Sequence, residues 1–301
     1  MKREYLTYAA INIGSNAIRL YISYVFDTIN GPIYKKANLI RLPVRLGEDT
    51  FNNGEISNEK IELLITALKG YKQIIDVYQP KKTRACATSA MREANNCHSV
   101  VKRVLDETGI NIEVISGEEE ADIIFSTHIE KKLEQKNAYL YVDIGGGSTE
   151  VSLFANNKLV DSKSFKIGTI RMMYKQIEKA YWKSFKNWIQ EATTGYDSII
   201  AIGSGGNIGR FNKMAKPNGN KYLSTKNIVA LTEELRSYQF EERMKVFGLK
   251  PDRADVILPF SKIYLAIMNK AKIKQTIVPQ TGLSEGMVVL MHEENKELLA
   301  E

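Results

Sequence analysis

Apolar runs at residues 5–13, 17–26 and 33–46 are broken by GSN and then NGP, which predicts three successive strands joined by turns. The period then changes. Ile61, Leu64, Ile65 and Leu68 recur at helical spacing, which predicts an amphipathic helix over about 57–77. Beyond it the chain alternates: strand TRACATS, helix to about 107, strand INIEVIS, helix from 117. At 138 the order restarts, with YLYVDIG, STEVSLF and KLVDSKSFKIG as three strands and helical segments to about 192. Strand SIIAIG, further helices, strand QTIVP and a last helix from about 283 complete the pattern. Each half therefore reads as an α/β layer, a mixed sheet covered by helices. The polar stretch KKLEQKN at 131–137 suits a boundary, giving domains of 1–130 and 131–301, with the last helix free to pack back on the first.

Composition narrows the class. With 301 residues, 44% hydrophobic and 26% charged, the chain has material for two ordinary globular cores. The apolar run near the N-terminus is interrupted by Thr7 and Asn12, so no signal peptide is expected. No stretch approaches the roughly 18 apolar residues of a membrane helix, and a soluble, cytoplasmic protein is the expectation. Cys86 and Cys97 are too few for a disulfide framework, and His98, His128 and His292 lack zinc spacing. The net charge of +7 favours anionic partners. Its lysines are scattered without interleaved aromatics, which gives no support to nucleic acid as the partner. A homodimer is left open.

Three glycine loops carry the candidate chemistry. In VDIGGGSTEV, Gly145, Gly146 and Gly147 remove side chains where a strand turns back, so backbone amides and Ser148 can approach phosphate oxygens. Asp143 and Glu150 flank that loop as hard oxygen ligands suited to hydrated Mg²⁺. The earlier AINIGSNAIRL repeats the device with Gly14, Ser15 and Asn16, and Asn12 stands at the position of Asp143. AIGSGGNIGR adds Gly203, Ser204, Gly205 and Gly206 at the start of a predicted helix, an anion-favouring terminus. In ISGEEEADIIF, Ser116 and Glu119 form a capping box, while Glu120 heads the apolar stripe of Ile123, Ile124 and Thr127. An inward carboxylate there is either paired structurally or kept to accept a proton from water. Arg92 falls in the first turn of a predicted helix, where the dipole disfavours a cation and a bound anion would relieve the conflict.

Assembled in this order, the motifs AINIGSNAIRL, ATSAMREA, ISGEEEA, VDIGGGSTEV, IGSGGNI and RADVILP with TGLSEGMV resemble the exopolyphosphatase and guanosine pentaphosphate phosphohydrolase family. The resemblance covers essentially the whole chain. It implies duplicated ribonuclease H-like (actin-like ATPase) domains, mixed five-stranded sheets flanked by helices, and a cleft between domains. It further implies release of terminal orthophosphate from inorganic polyphosphate with Mg²⁺, Glu120 as the water-activating base, and Asp143 and Glu150 as metal-binding and catalytic acids. Arg19 and Arg92 fall where such proteins place phosphate-contacting side chains. Guanosine pentaphosphate is the alternative substrate. Three departures stand out: Asn12 replaces the usual Asp, Asp122 stands where Arg is common, and the C-terminal helical domains of longer members are missing. The first lowers charge at a metal ligand and keeps a weakly active or non-catalytic polyphosphate or alarmone binder in contention. The last points to shorter chains or lower processivity.

Overall fold

A computed structural model describes residues 4–127, 137–156, 158–215, 222–279 and 281–300. The chain divides into two units, Met1–Thr127 with Thr281–Glu301, and His128–Gln280. Of the boundary segment read at 131–137, all but Asn137 lies outside the described residues.

The first unit begins with β1 (Leu6–Ile13), β2 (Ile18–Thr28) and β3 (Gly31–Leu42), then α1 (Leu46–Asn53) and α2 (Asn58–Tyr78). It continues through β4 (Lys82–Ala87), α3 (Ser89–Glu93), α4 (Cys97–Thr108), β5 (Glu113–Val114) and α5 (Gly117–Phe125). The sheet order is β3-β2-β1-β4-β5, with β1, β2 and β3 antiparallel and β4 and β5 running parallel to β1. β1 is buried from Thr7 to Ile13 because it is central and covered on both faces. On one side, Tyr71 of α2 donates to the carbonyls of Ile18 and Ile40, both at 3.1 Å.

The second unit repeats the plan with β6 (Ala138–Ile144), β7 (Thr149–Ala155) and β8 (Lys158–Phe165), then α6 (Thr169–Met173) and α7 (Lys179–Ala192). Next come β9 (Ile199–Ser204), α8 (Gly206–Ala215), β10 (Leu223–Ser224), α9 (Thr225–Arg236), α10 (Phe240–Phe247), α11 (Pro251–Ala254), α12 (Ile257–Lys270) and β11 (Gln275–Ile277). Its sheet order is β10-β11-β9-β6-β7-β8. Taking β6 for β1, β7 for β2, β8 for β3, β9 for β4 and β11 for β5, both units have one strand order and one set of directions. This is the duplicated ribonuclease H-like arrangement.

α13 (Leu283–Ala300) packs against β1 and α5 of the first unit. Its His292 is fully buried, with Nδ1 3.3 Å from the Tyr8 hydroxyl and Nε2 3.1 Å from Asp27 Oδ1. The face of β1 carrying Tyr8, Ala10 and Asn12 is therefore the one α13 covers.

Four local readings change. The strand expected over 33–46 stops at Leu42, and residues 46–53 form α1, whose Leu46 and Phe51 are buried although its glycine and asparagines are poor helix formers. INIEVIS pairs only at Glu113 and Val114, because β5 is an exposed edge. The second sheet has six strands among the described residues, not five, since β10 adds to β11. Arg92 sits in the last turn of the five-residue α3, not in a first turn, so the helix dipole favours it and no electrostatic conflict exists there.

Candidate active site

The second unit's loop is shaped by what its carbonyls bind. The Gly145 carbonyl accepts from Thr169 N at 3.0 Å, Gly146 from Ile170 N at 2.8 Å, and Gly147 from Arg171 Nε at 2.6 Å. All three acceptors are thus drawn to the start of α6. No peptide among the described residues is cis, so each N–H points opposite to the C=O of its own peptide group. The amides of Gly146, Gly147 and Ser148 accordingly face away from α6 as a row of three donors, the geometry of a backbone anion nest. Gly145 N is different: it donates to Ser148 O at 2.9 Å and closes the turn.

Two residues outside the glycine motif hold this shape. At Gly168 any Cβ would collide with the carbonyl of Gly146 and come within 2.5 Å of Gly147 N, so only glycine lets α6 approach the loop. Arg171 is 9% exposed, its guanidinium committed to the loop carbonyl. Neither carries a signal in the sequence, because their importance lies in contact with a loop about twenty positions earlier.

Asp143 and Glu150 are direct cross-strand partners on β6 and β7, one on each side of the loop. Ser164 Oγ donates to Glu150 Oε1 at 2.9 Å, and Ser204 Oγ lies 3.4 Å from Asp143 Oδ2. Glu150 is 3% exposed, a buried carboxylate held by a hydroxyl. The third loop meets the same acid. Gly205 adopts φ +90°, and a Cβ there would lie 2.8 Å from Asp143 Oδ1. The structure thus brings Asp143, Glu150, Gly145 to Ser148 and Gly203 to Gly206 together in one neighbourhood. Arg253 of α11 joins them: Nη1 donates to Asn207 Oδ1 at 2.6 Å, and the guanidinium lies over Gly206 at the start of α8. Arg253 belongs to the RADVILP segment, where nothing local marks it as part of the site.

The first unit has the same device in reduced form. Gly14 N donates to Ala17 O at 3.1 Å, as Gly145 does to Ser148. The carbonyls of Ser15 and Asn16 accept from Gly47 N at 2.8 Å and Arg45 N at 3.2 Å, at the start of α1, so the amides of Asn16 and Ala17 face the other way. The Ser15 side chain is 2% exposed and its hydroxyl lies 2.9 Å from that of Ser89, which fastens the loop to α3. Ser15 therefore acts as a tether. From α3, Arg92 Nη1 donates to Ile115 O at 2.6 Å, immediately before the capping box that starts α5. Glu118 and Glu119 are exposed on that helix, and two hydrogen bonds from Ser116 hold the Glu119 carboxyl below its usual range. Glu120 is half-buried.

Asn12 and Arg19 are cross-strand partners on the face of the sheet that α13 covers. Asn12 is 7% exposed, and its Oδ1 meets no hydrogen-bond partner among the described residues. A buried acceptor in that state is suited to a water or a cation.

The described residues contain no group of three or more His, Cys, Asp or Glu side chains placed to bind a metal. The donors present still fit Mg²⁺, which takes one or two carboxylates and fills its remaining positions with water and phosphate oxygens. Asp143 and Glu150 supply that pair, and carboxylate oxygens suit a hard ion.

A hairpin loop drawn back by a neighbouring helix in each unit, with paired acids flanking the second, in a duplicated ribonuclease H-like fold, defines a phosphate-handling class of protein. Residues 39–295 match the Ppx/GppA phosphatase family, and the chain belongs to it. It is 37% identical over 201 residues to the bifunctional 3-dehydroquinate synthase/phosphatase of Fusobacterium nucleatum, covering 61% of this chain and 29% of that protein. It is 25% identical over 299 residues to the guanosine-5'-triphosphate,3'-diphosphate pyrophosphatase of Photobacterium profundum, covering 94% of this chain and 59% of the relative. The chain thus spans less than two thirds of either relative's length. Exopolyphosphatase 1 of Mycobacterium tuberculosis is 23% identical, with 93% of this chain and 86% of that protein aligned. Among solved structures, the Ppx/GppA family member of Aquifex aeolicus superposes with TM-score 0.74 at 25% identity, over 97% of this chain and 99% of its own. An exopolyphosphatase from Cytophaga hutchinsonii shares the fold with TM-score 0.82 at 22% identity, over 96% and 98% of the two chains. No helix among the described residues is long and apolar enough to cross a membrane.

Proposed function

We propose that this protein hydrolyses terminal phosphoanhydride bonds and releases orthophosphate from inorganic polyphosphate. The observation that carries the reading is the row of amides at Gly146, Gly147 and Ser148, turned outward because α6 holds the three carbonyls behind them. Phosphoryl transfer asks a protein mainly for positioning and for donors aimed at spread negative charge, which such a row supplies at no reorganisation cost. Family membership and relatives named as exopolyphosphatase and guanosine polyphosphate pyrophosphatase support the same chemistry.

Glu120 accepts the proton of the attacking water, whose oxygen forms the new bond to the terminal phosphorus as the bridging P–O bond breaks toward the shortened chain. The amides of the two hairpin loops, with Arg19, Arg92 and Arg253, hold the phosphate oxygens. Asp143 and Glu150 would hold Mg²⁺, and Asn12 is the first unit's candidate oxygen ligand for such an ion. When bound, the ion would supply neutralisation of phosphate charge.

The test is orthophosphate release from short polyphosphate with Mg²⁺. Glu120→Gln keeps the shape and removes the base, and the expected loss in kcat is about 10²-fold or more. A wild-type rate in that variant removes Glu120 from its role. Running guanosine pentaphosphate in competition decides the substrate: an inhibition constant far below the KM for polyphosphate makes the nucleotide the preferred ligand.

A further inference from the structure

In the first unit the start of α13 meets α5 at close range, because the helix position facing α5 is a glycine. A Cβ at Gly286 would collide with the carbonyl oxygen of Ile123 and stand 2.7 Å from its carbonyl carbon. The approach is helix backbone to helix backbone, which only glycine permits. Ser126, at the end of α5, bridges the same contact: its hydroxyl lies 2.7 Å from Ile123 O and 3.2 Å from Gly286 O. Ile123 is three residues from Glu120, so both lie on one face of α5, and α13 bears on that face.

The preceding residue of α13 lies within electrostatic reach of β2. Glu285 is largely buried, with Arg19 and Lys36 as the nearby positive charges and Tyr21 beside it. Arg19 and Tyr21 alternate along β2 on the face that carries Asn12 and Ala10 of β1. One turn of helix is thus wedged between the strand bearing Arg19 and the helix bearing Glu120.

We infer that the first turn of α13 is a positioning element for the proposed base, with Gly286 fixing the height of α5 and hence of Glu120. The inference rests on the hydrolase reading above. It assigns Gly286 and Ser126 no contact with substrate. Their effect passes through α5, and a displacement near 1 Å at a catalytic group is enough to lower a rate about 10²-fold.

The experiment is a cycle of variants on the full chain, with orthophosphate release from polyphosphate as the rate and circular dichroism as the check on folding. Gly286→Ala is expected to lower kcat about tenfold to a hundredfold with KM within about twofold, because the base and not the phosphate grip is displaced. Gly70→Ala on α2, where an added Cβ meets nothing within 4 Å, is the control and keeps the wild-type kcat. In a Glu120→Gln background Gly286→Ala is expected to add nothing, since its effect passes through the group already removed. Should Gly286→Ala not fold, Ser126→Ala carries the same cycle without a steric clash, with an expected kcat loss of about threefold that also vanishes in the Glu120→Gln background. Folded variants with wild-type kcat, or losses that persist fully in Glu120→Gln, overturn the inference. Wild-type activity of Glu120→Gln itself instead overturns the reading on which it rests.

Discussion

At the scale of single residues, the two hairpins differ most at one paired position, Asn12 in β1 against Asp143 in β6. The buried Oδ1 of Asn12 keeps an oxygen donor where the second unit has a carboxylate, at the cost of one negative charge. Asn12→Asp is therefore expected to lower the Mg²⁺ concentration for half-maximal activity by about threefold to tenfold, roughly one charge's worth of added attraction in a partly screened site. A Mg²⁺ titration that leaves the two proteins superimposed takes Asn12 out of the metal's surroundings. Asp143, Glu150 and Glu120 stand out in the sequence as candidates because they belong to short motifs with glycine or alanine beside them. Arg171 was not, since nothing in TIRMM announces that its guanidinium will reach the carbonyl of Gly147.

At the scale of elements, short helices decide what the loops present. α6 draws three carbonyls backward, and the close approach depends on Gly168. Gly168→Ala is expected to lower kcat/KM for polyphosphate at least about tenfold and to cost about 1–3 kcal/mol of stability through overpacking. Denaturant unfolding and steady-state kinetics on the same sample check both. α13 contributes a pH dependence. Burial pushes the Glu285 carboxyl up to about 7 from 4.5, although Arg19 and Lys36 pull it down. Between those two values the folded protein binds the proton more tightly than the unfolded chain does, so this group's contribution to stability falls as pH rises through the window and levels off above it. Glu285→Gln stays neutral throughout. Its stability relative to wild type is expected to improve from pH 5 to pH 8 by on the order of 2 kcal/mol. A difference that does not change over that range, by denaturant titration at each pH, contradicts the assignment.

At the scale of the whole molecule, 42 basic against 35 acidic residues give a net charge of +7, and the proposed substrate is a polyanion. Encounter is then expected to be steered, with kcat/KM falling severalfold between about 50 and 500 mM salt while kcat changes little, as screening shortens the reach of the charge. A kcat/KM indifferent to salt contradicts steering. The sequence by itself determined the α/β class, the duplication, most strands and the acids beside the glycine loops, because strand periodicity and loop chemistry are local and short motifs report them. It also suggested a helical first-turn position for Arg92, which failed because α3 is only five residues long. Only the tertiary structure decided that the loop amides face outward, that Ser15 is a tether, and that α13 bears on α5. Those depend on which distant backbone groups meet, and a hydrogen bond between residues 126 and 286 leaves no trace in the periodicity of either segment.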